Sequence, residues 1–321
     1  MIKTIAHLAD IHIRKLHRFV EYRKVFKQLY KQLKGLKPDL IYIGGDVVHG
    51  KLDTSPEEVR MVANFFLDLC KISPTIVIPG NHDCNLNNKS REDTLSPIID
   101  LVKKIDPHLH YWKKSGTYTY ENVDFGVMSI YDRDKGGNQL TIGLPDPTKF
   151  TNEHKVALFH GGVDKHEYDN NFVVRDEHVK LDTFIGYDIV MLGDIHKRQF
   201  LNKEETIGYP GSLIQQNFAE QPSHGFLLWD LETKKAEYHP VKNDYGFKIV
   251  NVESGVIQNK MNFVPIKGRV KIKYWDTTLE QIKDIQMDLR RKYPKLKDVV
   301  TERQDNLSIG DDRENKLDIG D

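Results

Sequence analysis

The chain has 321 residues, of which 39% are hydrophobic and 29% are charged, as in an ordinary globular protein. Its 47 basic and 47 acidic residues cancel, so the net charge predicts no polyanion partner, and any nucleic-acid surface would be a local patch. The two cysteines give neither a disulfide framework nor zinc-ligand spacing. The start of the chain predicts a strand rather than a signal peptide, and no apolar run is long enough to cross a bilayer. We therefore expect an intracellular, cytoplasmic protein with no membrane partner.

The first hundred residues alternate predicted strands and helices. The strands are Thr4–Ala9, Leu40–Ile43 and Thr75–Ile78. The helical spacing of apolar residues predicts three helices. One starts near Phe19, one at the capping box that begins with Ser55, and one at Leu95. This alternation is typical of an α/β domain whose strands are buried.

The pattern changes after Leu109, where residues up to Tyr131 predict antiparallel strands. Two further buried strands are predicted at Val156–Phe159 and Ile189–Leu192. A smaller unit begins near Phe247 and contains two strands and a helix. We predict a main domain at residues 1–242, a small domain at residues 243–300 and a flexible acidic tail at residues 301–321.

Short blocks of His, Asp and Asn follow the apolar runs of the main domain. They are Asp10-Ile-His12, Gly45-Asp46-Val-Val-His49, Gly80-Asn81-His82-Asp83, His160-Gly161 and Gly193-Asp194-Ile-His196. Oxygen and imidazole ligands that converge at strand ends suit two hard or borderline metals such as manganese. A pair of such metals cleaves phosphate esters in many enzymes.

A two-metal site needs one carboxylate between the ions, and Asp46, at the end of a rigid strand, is the best candidate. The remaining ligands divide into Asp10, His12 and His196 for one metal and Asn81, His160 and Asp194 for the other. The Asn ligand is informative, because amide oxygens suit hard cations and rarely serve zinc.

Three more residues of the blocks are candidates for the chemistry itself. His82 has no metal assigned to it and could protonate the leaving oxygen, while Asp83 could fix the tautomer of that imidazole. His49 could contact the phosphate or orient the attacking water. Of the 14 histidines, several others fit no ligand pattern and are expected to be ordinary core or surface residues.

These motifs, in this order, are similar to those of the calcineurin-like metallophosphoesterases. His49 stands where the Ser/Thr protein phosphatases of that superfamily carry a G-D-x-V-D-R-G sequence. The segment Tyr209-Pro-Gly-Ser-Leu-Ile-Gln-Gln-Asn-Phe218, with His224-Gly-Phe226 after it, resembles a segment of the SbcD/Mre-type DNA repair nucleases. Phage recombination endonuclease subunits belong to that group.

The resemblance implies an α/β fold: a four-layer α/β/β/α sandwich with a small α+β capping domain that presses on DNA. It implies two Mn²⁺ ions per chain, with Mg²⁺ as an alternative, at the ligands given above, and catalytic roles for His49 and His82. The implied activity is 3′→5′ exonuclease action on duplex ends and endonuclease action on single strands, in recombination and double-strand-break repair. The implied partners are DNA, a second copy of the chain and an SbcC/Rad-type ABC-class ATPase.

This chain departs from the family pattern at two places. Most relatives carry histidine where this chain has Asp194, a harder donor that favours manganese or magnesium over softer ions. Relatives also continue into a helical segment that binds the ATPase, whereas this sequence continues into the acidic tail.

Basic residues that follow the first and third motifs, and others late in the small domain, are candidate DNA contacts. They are Arg14, Lys15, Arg18, Lys89, Arg91, Arg290 and Arg291. Each could equally lie on a solvated helix face or loop. Two other functions remain open: a small-molecule phosphodiesterase or phosphatase with the same site, and a non-catalytic scaffold of a repair complex.

Overall fold

The computed structural model describes residues 1–14, 16–51, 53–88, 90–132, 143–175, 177–259, 261 and 264–304. The chain divides into two compact units, Met1–Lys242 and Asn243–Asp321. No helix in these described ranges is long and apolar enough to cross a membrane.

The first unit alternates strands and helices in its first half and is almost entirely β in its second half. In chain order its elements are β1 (Thr4–Leu8), α1 (Phe19–Leu36), β2 (Leu40–Ile43), α2 (Pro56–Cys70), β3 (Thr75–Val77), α3 (Ser96–Lys103), β4 (Leu109–Tyr111), β5 (Gly116–Tyr120), β6 (Val123–Met128), β7 (His154–His160), β8 (Ile189–Gly193), β9 (Gln199–Phe200), β10 (Ile207–Tyr209), β11 (Gly225–Asp230) and β12 (Lys235–Pro240).

The first six-stranded sheet has the order β12-β11-β1-β2-β3-β4. Strands β1 to β4 are parallel, and β11 and β12 are antiparallel to their neighbours. The expectation that β4 is antiparallel was wrong, because α3 carries the chain back and β4 therefore runs alongside β3.

Helices α1, α2 and α3 cover one face of this sheet. Their buried residues, such as Tyr22, Leu29 and Phe66, form one hydrophobic cluster with Ile41 and Ile43 of β2. The predicted start of α2 is confirmed, because the Ser55 side chain accepts a hydrogen bond from the backbone N–H of Glu58.

The second six-stranded sheet has the order β5-β6-β7-β8-β10-β9. Its inner face packs on the first sheet, where Tyr42 and Ile76 meet Phe125, Leu158 and Met191. The two sheets and the helices on the first of them therefore form a mixed α/β sandwich, as predicted.

The outer face of the second sheet differs in detail from the four-layer expectation. In the part of the chain that the structure describes, loops and the 3₁₀ turn Leu181–Phe184 cover this face instead of an α-helix. Val163, Val179 and Phe184 bury the outward side chains of β7 and β8.

The second unit has its own sheet and core. Its elements are β13 (Phe247–Glu253), β14 (Val256–Ile257), β15 (Arg269–Trp275), α4 (Leu279–Lys292) and β16 (Asp298–Arg303), and the sheet order is β14-β13-β15-β16. Val250 and Ile272 pack with Ile282 and Leu289 of α4. Thr278 and Gln281 form a reciprocal capping box at the start of α4.

The predicted tail begins later than residue 301. Thr301, Glu302 and Arg303 belong to β16, because each pairs in register with a residue of β15. Glu302 also forms an ion pair of 2.6 Å with Lys271. Residues 305–321 of the predicted tail lie outside the described residues.

Candidate metal centre

The motif residues converge where the parallel strands of both sheets end. The chain past β1 pairs with the chain past β2, since the N–H of Asp10 bonds the Gly45 carbonyl at 3.1 Å and that of His12 bonds the Asp46 carbonyl at 2.9 Å. In the second sheet, His160 lies in register with Gly193. Asp10, His12, Asp46 and His160 are each at most 2% exposed.

One group of ligand atoms comes from the residues predicted for the first metal. Atoms of Asp10, His12 and His196 lie within 4.8 Å of one another. The Nε2 atoms of His12 and His196 are 2.9 Å apart. Two imidazole nitrogens and a carboxylate oxygen directed at one point are an ordinary ligand set for a divalent metal.

A second group surrounds His160. Its Nε2 lies 2.9 Å from Oδ1 of Asn81 and 3.6 Å from Oδ1 of Asp194. Asp10, Asp46 and His160 also present atoms within 4.8 Å of one another. Asn81, His160 and Asp194 are the residues predicted for the second metal, whereas Asp10 is shared with the first group and Asp46 is the predicted bridge.

Asp46 lies between the two groups. Its Oδ2 is 3.5 Å from Nε2 of His12, and its Oδ1 is 3.5 Å from Nε2 of His160. One carboxylate oxygen thus faces a histidine of the first group and the other faces a histidine of the second group, which is the position that a bridging ligand requires.

Two of the histidines are oriented through their other ring nitrogen. Nδ1 of His160 is 2.6 Å from the Gly44 carbonyl oxygen, and Nδ1 of His196 is 2.8 Å from Oε1 of Glu220. When each ring is neutral, its Nδ1 donates to the oxygen and its Nε2 is left with a lone pair for a metal.

The backbone at this centre is unusual. Asp10, His12, Asp46 and Asp194 have φ values of 52°, 48°, 53° and 97°, in the left-handed region that residues with a side chain rarely adopt. Such conformations persist where the surrounding structure enforces them, and they are concentrated at functional sites.

Two glycines of the motifs are required by close packing. A Cβ on Gly45, whose φ is 90°, would lie 2.5 Å from Nδ1 of His160. A Cβ on Gly80 would collide with Oδ1 of Asp46. The glycines therefore let the neighbouring ligand loops approach each other.

The electrostatics of the centre favour a bound cation. Burial, together with the neighbouring carboxylates, raises the pKa of Asp10 to about 7 and that of Asp46 well above its usual range. Burial and the nearby imidazoles hold the pKa of His12 well below its usual range. Crowded carboxylates and a neutral imidazole are what a divalent cation stabilises, so the donor set fits a metal.

His196 is the exception among the histidines. Burial lowers its pKa, but the Glu220 hydrogen bond and the nearby carboxylates outweigh burial and raise it to about 9. A metal that binds Nε2 of His196 must displace a proton, so metal binding at this ligand depends on pH.

His49 and His82 lie together at the rim of the centre. Their rings stack with centroids 5.1 Å apart, and both rings contact His12 edge-on. Nδ1 of His82 is 2.8 Å from the carbonyl oxygen of His49, which leaves Nε2 of His82 available. Burial lowers the pKa of both imidazoles, to about 3 for His49.

The predicted role of Asp83 was wrong. Its carboxylate accepts backbone N–H groups of Val47, Val48 and Gly80 at 2.8 to 3.0 Å, and the His49 carbonyl is the partner of Nδ1 of His82 instead. The fully buried Asp83 therefore ties the loop after β2 to the loop after β3 and positions ligands indirectly.

Glu220 was not predicted as a site residue, although it lies within the Tyr209–Phe226 segment. Glu220 is 6% exposed, and its Oε2 accepts the backbone N–H of Gln216 at 2.7 Å while its Oε1 bonds His196. Earlier in the segment, the Tyr209 hydroxyl donates to the Gly161 carbonyl at 2.8 Å and accepts from Val163 N–H at 3.0 Å. The segment thus holds the chain after His160 and orients His196.

His7 was also missed, and it has a structural role between the sheets. It is fully buried, with Nε2 3.1 Å from the Leu192 carbonyl and Nδ1 accepting the Trp229 indole N–H at 3.3 Å. Burial lowers its pKa to about 3, so it is neutral. No spacing rule identifies such a residue, because its partners lie far away in the chain.

The candidate DNA contacts differ in burial and in their partners. Arg18 was wrongly predicted, because it is 2% exposed and its guanidinium bonds Glu21, Gln216 and the Gln215 carbonyl. Arg14 is half-buried. The exposed candidates are Arg91, Arg290 and Arg291, and the last pairs with Asp288 of its own helix. Lys15 and Lys89 lie outside the described residues.

Comparisons with known proteins show what the chain is similar to. The sequence profile of the calcineurin-like phosphoesterases matches residues 3–206, which include every candidate metal ligand. The chain is 42% identical over 298 residues, 91% of its length, to "Uncharacterized protein R555" of Acanthamoeba polyphaga mimivirus, but it spans only 22% of that relative. It is 25% identical over 251 residues, 70% of its length, to "Putative phosphoesterase 244L" of Invertebrate iridescent virus 6, of which it covers 79%.

Proposed function

Because the chain belongs to the calcineurin-like phosphoesterase family, we propose that it is a metal-dependent nuclease that hydrolyses phosphodiester bonds of DNA. Exonuclease action on duplex ends and endonuclease action on single strands, in recombination and double-strand-break repair, are the proposed modes. The observation that carries the proposal is Asp46, whose two oxygens each face one histidine of a separate ligand group.

The residues present fit two divalent cations. Asp10, His12 and His196 would hold one and Asn81, His160 and Asp194 the other, with Asp46 common to both. Bound cations would supply Lewis-acid activation of water and neutralise charge that develops on the phosphate. We propose Mn²⁺ or Mg²⁺, because carboxylate and amide oxygens are harder donors than thiolates.

His82 is the proposed general acid. The His49 carbonyl accepts the Nδ1–H of His82 and so fixes the ring, and in the imidazolium form Nε2 would carry the proton that passes to the leaving oxygen. Both histidines are half-buried, which keeps them accessible to a substrate at the rim of the centre. His49 stacks on His82 and restricts the orientation of its ring.

Two features favour DNA over a small molecule as the substrate. The Tyr209–Phe226 segment resembles that of DNA repair nucleases, and here it orients His196 through Glu220. The second unit adds a separate core and exposed basic residues, Arg290 and Arg291, that a small substrate would not require. A homodimer and an ABC-class ATPase partner are part of the same proposal and rest on the resemblance alone.

A comparison of substrates tests the proposal. The wild-type chain is incubated with end-labelled duplex DNA, single-stranded DNA and a 3′,5′-cyclic nucleotide, each with Mn²⁺ and with a chelator. Cleavage of DNA that needs Mn²⁺ is expected. Hydrolysis of the cyclic nucleotide alone would establish a small-molecule phosphodiesterase, and no hydrolysis of any substrate would favour a scaffold.

A further inference from the structure

We propose that Arg14 binds a non-bridging oxygen of the substrate phosphate. This inference rests on the proposed function, because it assigns the phosphate contact of the same site. The evidence is the position of Arg14, the lack of a partner for its guanidinium among the described residues, and the chemistry of that group.

The position follows from the extension of β1 beyond the metal ligands. Ile13 forms a parallel bridge with Val48, and the N–H of His49 bonds the Ile13 carbonyl at 3.1 Å. Arg14, two residues after His12, therefore lies beside His49 in the register of the two paired segments. Its proximity is also evident in the lowered pKa of His49, to which burial contributes most and the charge of Arg14 next.

The guanidinium of Arg14 has no hydrogen bond or ion pair to any residue that the structure describes, and its Nε is buried without a partner. Arg18, four residues further along the chain, is the opposite case, with bonds to Glu21, Gln216 and a backbone carbonyl. Glu220 is close enough to influence Arg14, but its carboxylate bonds His196 and the Gln216 N–H instead.

A half-buried arginine without a partner suits an anion that comes from outside the fold. The guanidinium is always charged and presents several N–H donors in one plane, which matches the oxygens of a phosphate. A phosphodiester held at the cluster has non-bridging oxygens, and Arg14 places N–H donors beside His49 that can donate to one of them. Arg14 would thereby orient the phosphate as well as attract it.

The test measures the affinity for inorganic phosphate by calorimetric titration in the presence of Mg²⁺. Arg14→Ala should weaken phosphate binding roughly 10- to 100-fold, as expected for loss of charge-assisted hydrogen bonds. The phosphate affinity of Arg14→Lys, which keeps the charge but loses the planar donors, should lie between those of the wild type and Arg14→Ala. Arg60→Ala removes the same charge from an exposed position on α2 and should leave the affinity unchanged.

Thermal unfolding of each variant verifies folding, and Arg14→Lys decides the matter if the alanine variant does not fold. Phosphate affinity that is unchanged in the Arg14 variants, or a wild-type chain that binds no phosphate, would overturn the assignment. If Arg14→Ala weakens phosphate binding and the wild type cleaves no DNA, Arg14 remains a phosphate ligand while the nuclease proposal fails.

Discussion

At the scale of single residues, the candidate metal centre depends on groups that orient the candidate ligands as well as on those ligands themselves. His160 is held by a backbone carbonyl and His196 by the carboxylate of Glu220. Asp83 fixes two ligand loops through three backbone N–H groups. Replacing such groups changes the site without removing any ligand atom.

Replacement of Glu220 by Gln should weaken metal binding roughly 10- to 100-fold, since the partner of His196 loses its charge. Isothermal titration with Mn²⁺ measures this, and Glu232→Gln, at an exposed position, is the control. Equal Mn²⁺ affinities of the wild type and Glu220→Gln would show that Glu220 does not support the metal site.

Replacement of His82 by Asn should reduce cleavage by about 10²- to 10⁴-fold, because the side chain can no longer transfer a proton. Metal affinity should stay at the wild-type value, since His82 is not among the proposed ligands. Exposed His178, changed to Asn, serves as the control. Full cleavage activity in His82→Asn would remove His82 as the general acid.

At the scale of secondary structure elements, the two sheets are joined by buried polar contacts as well as by apolar packing. His7 of β1 bonds the Leu192 carbonyl of β8 and the indole of Trp229 in β11. The imidazole therefore links both sheets, and it must be neutral to accept from Trp229.

This link predicts a pH dependence of stability. The folded-state pKa of His7 is about 3, against 6.5 for an unperturbed imidazole, so between these values the unfolded state binds the proton more readily. Stability should fall as the pH drops from 6.5 towards 3, by at most about 5 kcal/mol from this group. His7→Gln keeps a donor and an acceptor but does not titrate, so this variant should lose less stability on acidification than the wild type.

Urea unfolding at a series of pH values, with chelator present, measures the difference between the two proteins. His178→Gln changes an exposed histidine and should retain the wild-type slope. If His7→Gln loses stability with acid as steeply as the wild type, His7 is not the titrating group.

How far the sequence predicts these elements depends on the distance between the interacting residues. Local signals were sufficient for the Ser55 cap and for the position of the motifs at strand ends. The parallel direction of β4 was not predictable from its own residues, because it is set by α3. Glu220 and His7 were missed for a related reason: their partners lie 24 and 185 residues away along the chain.

The sequence alone also does not distinguish the buried from the accessible basic residues near the first motif. Arg14 and Arg18 look alike as surface charges in the sequence, yet one lacks any partner in the described part of the chain and the other is buried in an ion pair with Glu21. The fold decides between them, because Gln215 and Gln216 lie next to Arg18.

At the scale of the whole molecule, the first unit brings the strand ends of two sheets to one point and so assembles ligands that are up to 186 residues apart, from Asp10 to His196. The second unit has its own sheet and core. The family match covers most of the first unit and does not reach the second, so the activity is expected to come from the first unit.

The proposed activity of the centre around Asp46 is cleavage of DNA with the help of two metal ions. The direct measurement is single-turnover cleavage of end-labelled single-stranded DNA by the wild type and by Asp46→Asn, with Mn²⁺ and with a chelator. Asparagine has nearly the same shape and tolerates the left-handed backbone at this position, where φ is 53°. We expect cleavage by the wild type only with Mn²⁺ and a loss of at least about 10³-fold in Asp46→Asn. Cleavage that survives the chelator, or that is equal in both proteins, would contradict the account.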